Sequence, residues 1–526
     1  MNTTEFVEKQ IKATGNTYIK GSLLKKKVPY SILQKEVKKG NLVKKTRYNA
    51  ARKLAITYYT LPYIEKMEKS IARNVVKHLN EPNVCRNLSE EEINDFIDAF
   101  EKEQSEKLGF EMHLHEEQRL AVHMAVNQHM CIITGGPGTG KTSVINAIRY
   151  VENHRMDKEP EIIFTAPTGK AARRITESVG VPSKTVQKQI EANDYTDTPV
   201  CVTSYLMIVD EISMLDTITM YQLMRAVDGP MKLILVGDVD QLPSVGFGSI
   251  LNDLIQSGVL PVTKLEKTFR QASDSCLAAN IAYIRKGYAG LVKGDDFRIY
   301  TDFDESKIVQ TLLDATLDAR KRYGAENVIL LTPYRRKGLT CANEMNKLLQ
   351  EALNPSATCV DAIITDEDEE GEEYTLRVKF KVNDPVMQLR NRKDCPIANG
   401  DVGMVKEIYE DDSIFVDFGH YTKIYTKNEL KELNLAYAMS VHKSQGSEYA
   451  CVVTCVLPEH EQLLSRNMIF TDITRAKKEA IFYYNEESLK KALTVESAYI
   501  RDTFLCEELQ YESKKYALIH SATAIA

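Results

Sequence analysis

The chain has 526 residues, too many for one ordinary domain, and 43% of them are apolar, enough to build buried cores. Its net charge is −6, but residues 1–60 hold 14 Lys/Arg against 3 Asp/Glu, so the beginning of the chain is strongly basic. No apolar run approaches the roughly 20 residues of a membrane span, and the first residues lack the apolar segment of a signal peptide. The ten cysteines have no zinc-ligand spacing, and scattered thiols fit a reducing compartment. We therefore expect a cytoplasmic protein without a membrane partner.

The basic start, residues 1–60, predicts a small α/β domain. The segment "SILQKEVKKG" (31–40) has a helical pattern that ends at a glycine, and 41–60 can form a β-hairpin. Helix followed by hairpin is the order found in a winged helix, and it is equally the order of other small basic domains. The charge is either a solvated face or a nucleic-acid contact. Residues 61–110 are helical and charged, which is typical of a connector.

From residue 111 onward, short apolar runs alternate with helical stretches, which predicts parallel sheets covered by helices on both faces. The runs form two groups, before and after about residue 273, so we expect two α/β lobes. The strand candidates are "MCIITG" (130–135), "EIIFTA" (161–166), "YLMIVD" (205–210), "KLILVGD" (232–238), "NVILLTP" (327–333), "ACVVTCVL" (450–457) and "EAIFYYN" (479–485).

The segment "GGPGTGKT" (135–142) fits the phosphate-binding pattern G-x-x-x-x-G-K-[ST] and lies between a predicted strand and a predicted helix, which is the context the motif requires. Its glycines let backbone N–H groups surround phosphates, and the helix N-terminus adds positive potential. Lys141 supplies a charge for the β- and γ-phosphates of ATP, and the Thr142 hydroxyl can bind Mg²⁺. The predicted nucleotide-binding residues are Gly136, Pro137, Gly138, Thr139, Gly140, Lys141, Thr142 and Ser143.

A second carboxylate site follows another predicted strand, in "LMIVDE" (206–211). We expect Asp210 to hold Mg²⁺ and Glu211 to orient or deprotonate the attacking water. The turn "LVGDVDQLPSVGFG" (235–248) contains Gln241, which can sense the γ-phosphate or can belong to a plain capping turn.

These segments, with "TAPTGKAARR" (165–174) and "FRQ" (269–271), resemble RecD-like helicases of superfamily 1 in both content and order. The second lobe continues the resemblance with "NGDVGMV" (399–405), "LAYAMSVHKSQGSE" (435–448) and "TDITRAKK" (471–478). The resemblance covers about residues 110–485. It implies an α/β fold with two RecA-like P-loop lobes that bind ATP between them, over 111–272 and, in two parts, 273–376 and 434–526. It also implies a small inserted β-barrel at 377–433, which strand-like alternation at 378–391 and 400–418 fits.

The resemblance also assigns roles to single residues. Gln118 is expected to contact adenine, Glu448 the ribose, and Arg270 and Arg475 the γ-phosphate. An arginine supplied by the second lobe is worth about 10³–10⁵ in rate and makes hydrolysis depend on lobe closure. Without the resemblance, Arg475 would be interpreted as a surface ion pair.

Single-stranded DNA is expected to lie across both lobes, because a motor that moves along any sequence needs phosphate contacts rather than base contacts. The candidate contacts are Pro167, Thr168, Lys170, Ser440, His442 and Lys443. His442 can instead be a packed core histidine. The family's strand-separating pin corresponds to residues 188–204 or, alternatively, these residues form a plain loop. Two departures from the family are "SKTVQKQI" (183–190), where relatives often have Thr-Ile-His, and the missing helix-hairpin-helix region.

The resulting prediction is an ATP- and Mg²⁺-dependent DNA helicase that moves 5′→3′ on single-stranded DNA, acts at duplex junctions, and serves replication, recombination or repair. The alternatives are a superfamily 1 RNA helicase, a motor subunit of a larger DNA-processing complex, and a nucleic-acid clamp with a degenerate ATP site. The intact set of predicted phosphate-site residues argues against the clamp.

Overall fold

A computed structural model of the chain describes residues 2–49, 54–82, 85–192, 199–227, 229–269, 275–356, 358–368, 372–392, 394–494 and 501–523. The helices are α1 (Thr3–Thr14), α2 (Gly21–Leu24), α3 (Tyr30–Lys38), α4 (Pro62–Leu79), α5 (Glu90–Leu108), α6 (Glu116–Asn127), α7 (Lys141–His154), α8 (Gly169–Val179), α9 (Val186–Gln189), α10 (Thr217–Ala226), α11 (Ile250–Ser257), α12 (Cys276–Arg285), α13 (Ile308–Tyr323), α14 (Ala342–Leu353), α15 (Arg466–Ile473), α16 (Glu486–Thr494) and α17 (Leu505–Thr523).

The strands are β1 (Ile19–Lys20), β2 (Val43–Asn49), β3 (Leu54–Thr60), β4 (Met130–Gly135), β5 (Ile162–Ala166), β6 (Lys184–Thr185), β7 (Leu206–Val209), β8 (Lys232–Gly237), β9 (Val262–Leu265), β10 (Phe297–Tyr300), β11 (Val328–Thr332), β12 (Val360–Glu367), β13 (Glu373–Phe380), β14 (Pro385–Gln388), β15 (Val402–Ile408), β16 (Ile414–Asp417), β17 (Thr422–Tyr425), β18 (Leu433–Leu435), β19 (Ala438–Ser440), β20 (Tyr449–Val456) and β21 (Ala476–Tyr484). Single 3₁₀ turns occupy Ile212–Met214, Glu305–Lys307, Ala325–Asn327, Leu430–Glu432, His442–Ser444 and Pro458–His460.

The basic N-terminal domain follows the chain order α1-β1-α2-α3-β2-β3, and its antiparallel sheet has the order β1-β3-β2. This is the arrangement of a winged helix, one of the two interpretations of its sequence. Val7, Ile11 and Leu33 form its core, which also takes in Phe247 from the turn after β8. The N-terminal domain is therefore packed against the first lobe.

The first lobe is a six-stranded parallel sheet in the order β6-β5-β7-β8-β4-β9. Every residue of β4 and β8 is buried, because successive side chains enter cores on opposite faces of the sheet. Ile132 belongs to one core and Ile133 to the other. This two-sided burial explains why these strands are continuous apolar runs in the sequence.

The second lobe is a five-stranded parallel sheet in the order β10-β21-β20-β11-β19. It follows the same rule, since Leu330 and Ile329 of β11 pack into cores on opposite faces. The predicted fold class, two parallel α/β lobes, is confirmed. All seven predicted strand runs coincide with strands of these two sheets.

Between the two parts of the second lobe, strands β14 to β18 form an antiparallel sheet in the order β17-β16-β15-β14-β18, and β12 and β13 form a separate hairpin. The predicted inserted β-domain therefore exists as a five-stranded sheet. The pin predicted near 188–204 falls partly outside the described residues, which omit 193–198. On its described flanks, the Val200 N–H donates to the Ile190 carbonyl, 3.0 Å away.

The C-terminal tail leaves the second lobe and returns to the first. Leu505 and Leu509 of α17 pack in the same core as Ile71 of α4 and Leu254 of α11. Residues 501–523 therefore lie on the first lobe and the connector rather than on the lobe that precedes them in the chain. Among the described helices, none combines the length and the apolar character that a bilayer span requires.

Candidate nucleotide and nucleic-acid sites

Three neighbouring parallel strands, β7, β8 and β4, bring the predicted phosphate-site segments to one edge of the first sheet. The glycine-rich turn follows β4, Asp210 and Glu211 follow β7, and the turn with Gln241 follows β8. Because the carboxyl ends of parallel strands lie on the same side, segments separated by about 100 residues meet there.

The backbone of the glycine-rich turn depends on glycine at two positions. Gly138 and Gly140 have φ of 76° and 79°, in the left-handed region. A Cβ on Gly140 would also lie 2.2 Å from Nε2 of Gln118, whose amide donates to the Thr139 carbonyl at 3.0 Å. Nζ of Lys141 donates to the carbonyls of Gly135 and Gly136 at 2.6 and 3.1 Å, which places its charge inside the turn.

Two acidic residues of this edge, Asp210 and Glu211, are half-buried. Removal from water and the neighbouring Glu211 raise the pKa of Asp210 to about 6, while Lys141 opposes the shift. Glu211 has a φ of 53°, a strained conformation for a residue with a side chain, and among the described residues its Oε2 has no hydrogen-bond partner. The two carboxylates and the Thr142 hydroxyl supply hard oxygen donors at this edge, so this set fits Mg²⁺.

Asp238 is a site residue that the sequence analysis left without a role. It is fully buried directly after β8, burial raises the pKa of its carboxyl to about 6, and Lys141 opposes that shift. Within the described chain, its Oδ2 has no hydrogen-bond partner. The available signal was an acid at the end of a predicted strand, the same signal that identified Asp210.

A cleft of about 200 Å³ lies between the two lobes at this edge. It is lined by Gly136, Pro137, Gly138, Gly140, Lys141, Thr142, Ala171, Arg174, Ile175, Ser178, Asp210, Glu211, Gln241, Gly446, Glu448 and Arg475. The predicted lysine, both predicted acids, Gln241 and Arg475 therefore meet in one cleft. Gln118, Thr139 and Ser143 do not line the cleft, although Gln118 and Thr139 donate hydrogen bonds to carbonyls of the turn.

Arg475 enters the cleft from the second lobe. It is only 3% exposed, and its guanidinium donates to the carbonyls of Thr471 and Ser447 at 2.9 and 3.1 Å. These contacts fix its position, so the interpretation as a surface ion pair is wrong. Arg270, the other predicted arginine, lies outside the described residues. The N–H of the preceding Phe269 donates to the Gly138 carbonyl at 2.7 Å.

Glu448 joins the two lobes across the cleft. Its carboxylate pairs with Arg174 of the first lobe at 2.5 Å and with Lys477 of the second lobe at 3.2 Å. Burial lowers the pKa of Arg174, but Glu448, Glu211 and Asp210 raise it, and the net direction is upward. Arg174 is thus a second arginine in the cleft, beside Arg475 and Lys141. Its sequence signal was its place in "TAPTGKAARR", although no role followed from it.

A groove of about 430 Å³ is lined by residues of both lobes and of the inserted domain. Four of the predicted DNA contacts are among these residues: Thr168, Lys170, His442 and Lys443. Burial lowers the pKa of His442 to about 4, with Arg335 and Arg501 acting in the same direction, so the ring is neutral at pH 7. His442 can therefore offer a hydrogen bond but not a charge.

The other two predicted DNA contacts differ from the groove residues. Pro167 precedes the N-cap of α8 and does not line the groove. Ser440 ends β19 and is 1% exposed, so its side chain does not line the groove, and its contact with DNA stays a prediction. It lies opposite Thr332 of β11, at the edge of the second sheet.

The turn after β8 is bonded directly to the second lobe. The Leu242 N–H donates to Oγ1 of Thr471 at 2.8 Å, and Nε2 of Gln445 donates to the Leu242 carbonyl at 3.1 Å. A further link joins Arg173 of α8 to Asp401, a bidentate pair at 3.1 and 2.8 Å. Leu242, the residue after Gln241, is thus hydrogen-bonded to α15, the helix that ends just before Arg475.

Sequence models of three protein families match this chain in separate segments. They are an AAA domain at 113–305, an ATP-dependent RecD-like DNA helicase SH3 domain at 345–418, and a UvrD-like helicase C-terminal domain at 435–483. The first segment covers the first lobe with its site and continues through α12 and β10. The second covers most of α14, the β12–β13 hairpin and strands β14 to β16, and the third covers the part of the second lobe that carries Glu448 and Arg475.

Among individual relatives, the ATP-dependent RecD2 DNA helicase of Deinococcus radiodurans is 31% identical over 404 residues, which are 76% of this chain and 52% of that protein. This chain therefore spans about half the length of that relative. The RecBCD enzyme subunit RecD of Haemophilus influenzae is 24% identical over 495 residues, with 77% of this chain and 73% of that one covered.

Among solved structures, the Pif1 helicase from Bacteroides in complex with ADP-AlF3 and ssDNA is 19% identical, with a TM-score of 0.48 over 74% of this chain and 96% of that one. The matched family segments occur in the chain order that the motifs predict, and each of the two relatives covers about three quarters of the chain. The chain belongs to the RecD-like helicases of superfamily 1.

Proposed function

We propose that this chain is an ATP-dependent DNA helicase that moves 5′→3′ along single-stranded DNA and separates duplex DNA during replication, recombination or repair. The observation that carries the proposal is the single cleft in which Lys141, Asp210 and Glu211 of one lobe face Arg475 of the other. A groove lined by residues of both lobes is the proposed binding site for the DNA strand. The polarity rests on membership of the RecD-like family.

The proposed hydrolysis step uses the cleft residues in separate roles. Lys141 would neutralise the β- and γ-phosphates. Thr142 and Asp210 would hold Mg²⁺, which would shield the charge of the phosphates. Glu211 is strained, and its Oε2 has no hydrogen-bond partner among the described residues, so it can accept the proton of the attacking water. Arg475 stabilises the charge on the transferred phosphoryl group and can do so only when the lobes are closed.

The proposed coupling to movement runs through the turn after β8. Gln241 lines the cleft, and the adjacent Leu242 is hydrogen-bonded to Thr471 and Gln445 of the second lobe. Gln445 also lines the groove where the DNA would lie. Loss of the γ-phosphate would therefore alter a turn that contacts both the cleft and the DNA groove. Repeated opening and closing of the two lobes would move the strand.

The N-terminal domain is proposed as an additional DNA contact. Lys35, Lys38 and Lys39, at the end of and directly after α3, are exposed, as are Lys25, Lys26 and Lys27 before it. If this face contacts phosphates, changing Lys35, Lys38 and Lys39 to glutamine should weaken DNA binding and reduce its dependence on salt. Binding with an unchanged salt slope would leave the solvated-face interpretation.

The test of the proposed function is the ATPase rate of the purified chain with single-stranded DNA, with single-stranded RNA, or with neither. The proposal expects strong stimulation by DNA and no turnover in Lys141→Ala, with DNA binding retained. Stimulation by RNA instead would favour the RNA helicase. No ATPase in the wild-type chain would favour the clamp, and DNA-stimulated ATPase without unwinding would favour a motor subunit of a larger complex, as in the RecBCD relatives.

A further inference from the structure

A cluster of two histidines and one glutamate lies away from the nucleotide cleft, where the connector meets the first lobe. His78 is in the last turn of α4, Glu81 follows the end of that helix, and His129 directly precedes β4. One ligand atom from each residue lies within 4.8 Å of the other two. Oε2 of Glu81 is 3.6 Å from Nδ1 of His78 and 3.9 Å from Nε2 of His129.

These histidines are buried and poorly satisfied. His78 and His129 are 3% and 4% exposed, and their rings are in contact, with centroids 4.5 Å apart. Both ring nitrogens of His129, and Oε2 of Glu81, are buried and have no hydrogen-bond partner among the described residues. Buried polar atoms in native proteins are nearly always paired, so a group of unpaired atoms that face one another needs a ligand to explain it.

We propose that His78, Glu81 and His129 bind a Zn²⁺ ion, with water as the fourth ligand. Two imidazoles and one carboxylate are a known zinc donor set, and imidazole ligands disfavour Mg²⁺ and Ca²⁺. Ligand atoms of a tetrahedral zinc site lie roughly 3.3 Å apart, so the observed separations need only small side-chain rotations.

The site has a route of entry and a structural consequence. The Glu81 side chain is 19% exposed, so the ion can enter from solvent past the end of α4. A bound ion would tie α4 to β4, the strand that leads into the glycine-rich turn. Because α4 also packs against α17 of the C-terminal tail, the ion would hold together parts of the protein that are distant in sequence.

The test measures metal binding by the full chain after removal of metals with a chelator, in excess Mg²⁺ and a non-thiol reductant. Zn²⁺ affinity comes from competition with a chromophoric chelator, and Co²⁺ substitution reports ligand type. The proposal expects one tight site, a Co²⁺ spectrum of nitrogen and oxygen ligands without thiolate bands, and a higher melting temperature with Zn²⁺. Glu81→Gln, which keeps the side-chain shape, should weaken binding about tenfold or more.

The matched control is Glu111→Gln. Glu111 contacts the exposed His113 at 3.0 Å, and Glu101 contacts the same ring from the other side at 2.9 Å, so this is also a histidine between two carboxylates. The control should bind Zn²⁺ as the wild type does. Equal Zn²⁺ affinity in Glu81→Gln and wild type, or thiolate bands in the Co²⁺ spectrum, would overturn the proposal. His129→Asn provides a second variant with the same expected loss.

Discussion

Arg501 of the C-terminal tail is predicted to hold the turn after β8 in its active position. Its Nη1 donates to Oγ of Ser244 and to the carbonyls of Gly246 and Gly248, at 3.1, 2.6 and 2.7 Å, and its Nη2 donates to the Ser244 carbonyl at 2.6 Å. The same turn begins at Gln241, which lines the nucleotide cleft. The tail therefore supports the cleft although it does not line it.

The magnitude follows from these four bonds. A hydrogen bond to a charged group contributes about 1.5–3 kcal/mol, but bonds from one guanidinium are not additive and the vacated carbonyls are partly reached by water. We therefore expect Arg501→Ala to weaken the local structure of the turn by about 3 kcal/mol, which is roughly a hundredfold increase in local opening. Displacement of Gln241 by about 1 Å would lower kcat by up to about 10²-fold.

The assays are hydrogen exchange of peptides that contain residues 243–249 and the DNA-stimulated ATPase rate. Exchange should become faster in this segment while the glycine-rich turn keeps its protection, and kcat should fall with little change in KM for ATP. Arg501→Lys should recover part of the loss. The control is Lys515→Ala on α17, because Lys515 is exposed and pairs with Glu512 of its own helix at 3.3 Å, away from the turn. Wild-type exchange and kcat in Arg501→Ala would refute the reasoning.

Three more predictions concern single residues. Arg475→Ala should slow single-turnover hydrolysis by about 10³-fold or more while nucleotide affinity is kept, and a loss of only a few-fold would contradict its role. Glu152→Ala should destabilise the first lobe by about 3–5 kcal/mol, measured by denaturant unfolding, because the buried Lys232 keeps its bond to the Val126 carbonyl but loses its counter-charge. Burial raises the pKa of Asp210 to about 6, so this proposed Mg²⁺ ligand becomes protonated below pH 6. The ATP hydrolysis rate at subsaturating Mg²⁺ should therefore fall about tenfold per pH unit below 6. A rate that stays constant from pH 5 to 7 would contradict this prediction.

The parts of the fold that the sequence predicts are those with a local cause. The glycine-rich turn needs glycine at positions 138 and 140 because both have a positive φ, and both lie within three residues of Lys141. The strands of the two lobes are buried on both faces, so each is a short apolar run that stands out between polar helices. Asp210 could be found because it directly follows such a run.

The parts that could not be predicted depend on contacts between distant segments. Nothing near Arg501 in the sequence indicates that its partners are residues 244–248, because the tail crosses back to the first lobe. His78 and His129 come together only because α4 packs beside the start of β4, and the spacing between them matches no local ligand pattern. The motif that places Ser440 near DNA does not reveal that its side chain is 1% exposed at the end of β19.

The measurement that tests the central claim most directly is unwinding of matched DNA duplexes that carry either a 5′ or a 3′ single-stranded tail, with ATP and Mg²⁺. Lys141→Ala is the control without hydrolysis. The account predicts unwinding from the 5′ tail alone, and none in the control. Unwinding from the 3′ tail alone would contradict the proposed polarity, and unwinding that persists in Lys141→Ala would contradict the assignment of the ATP site.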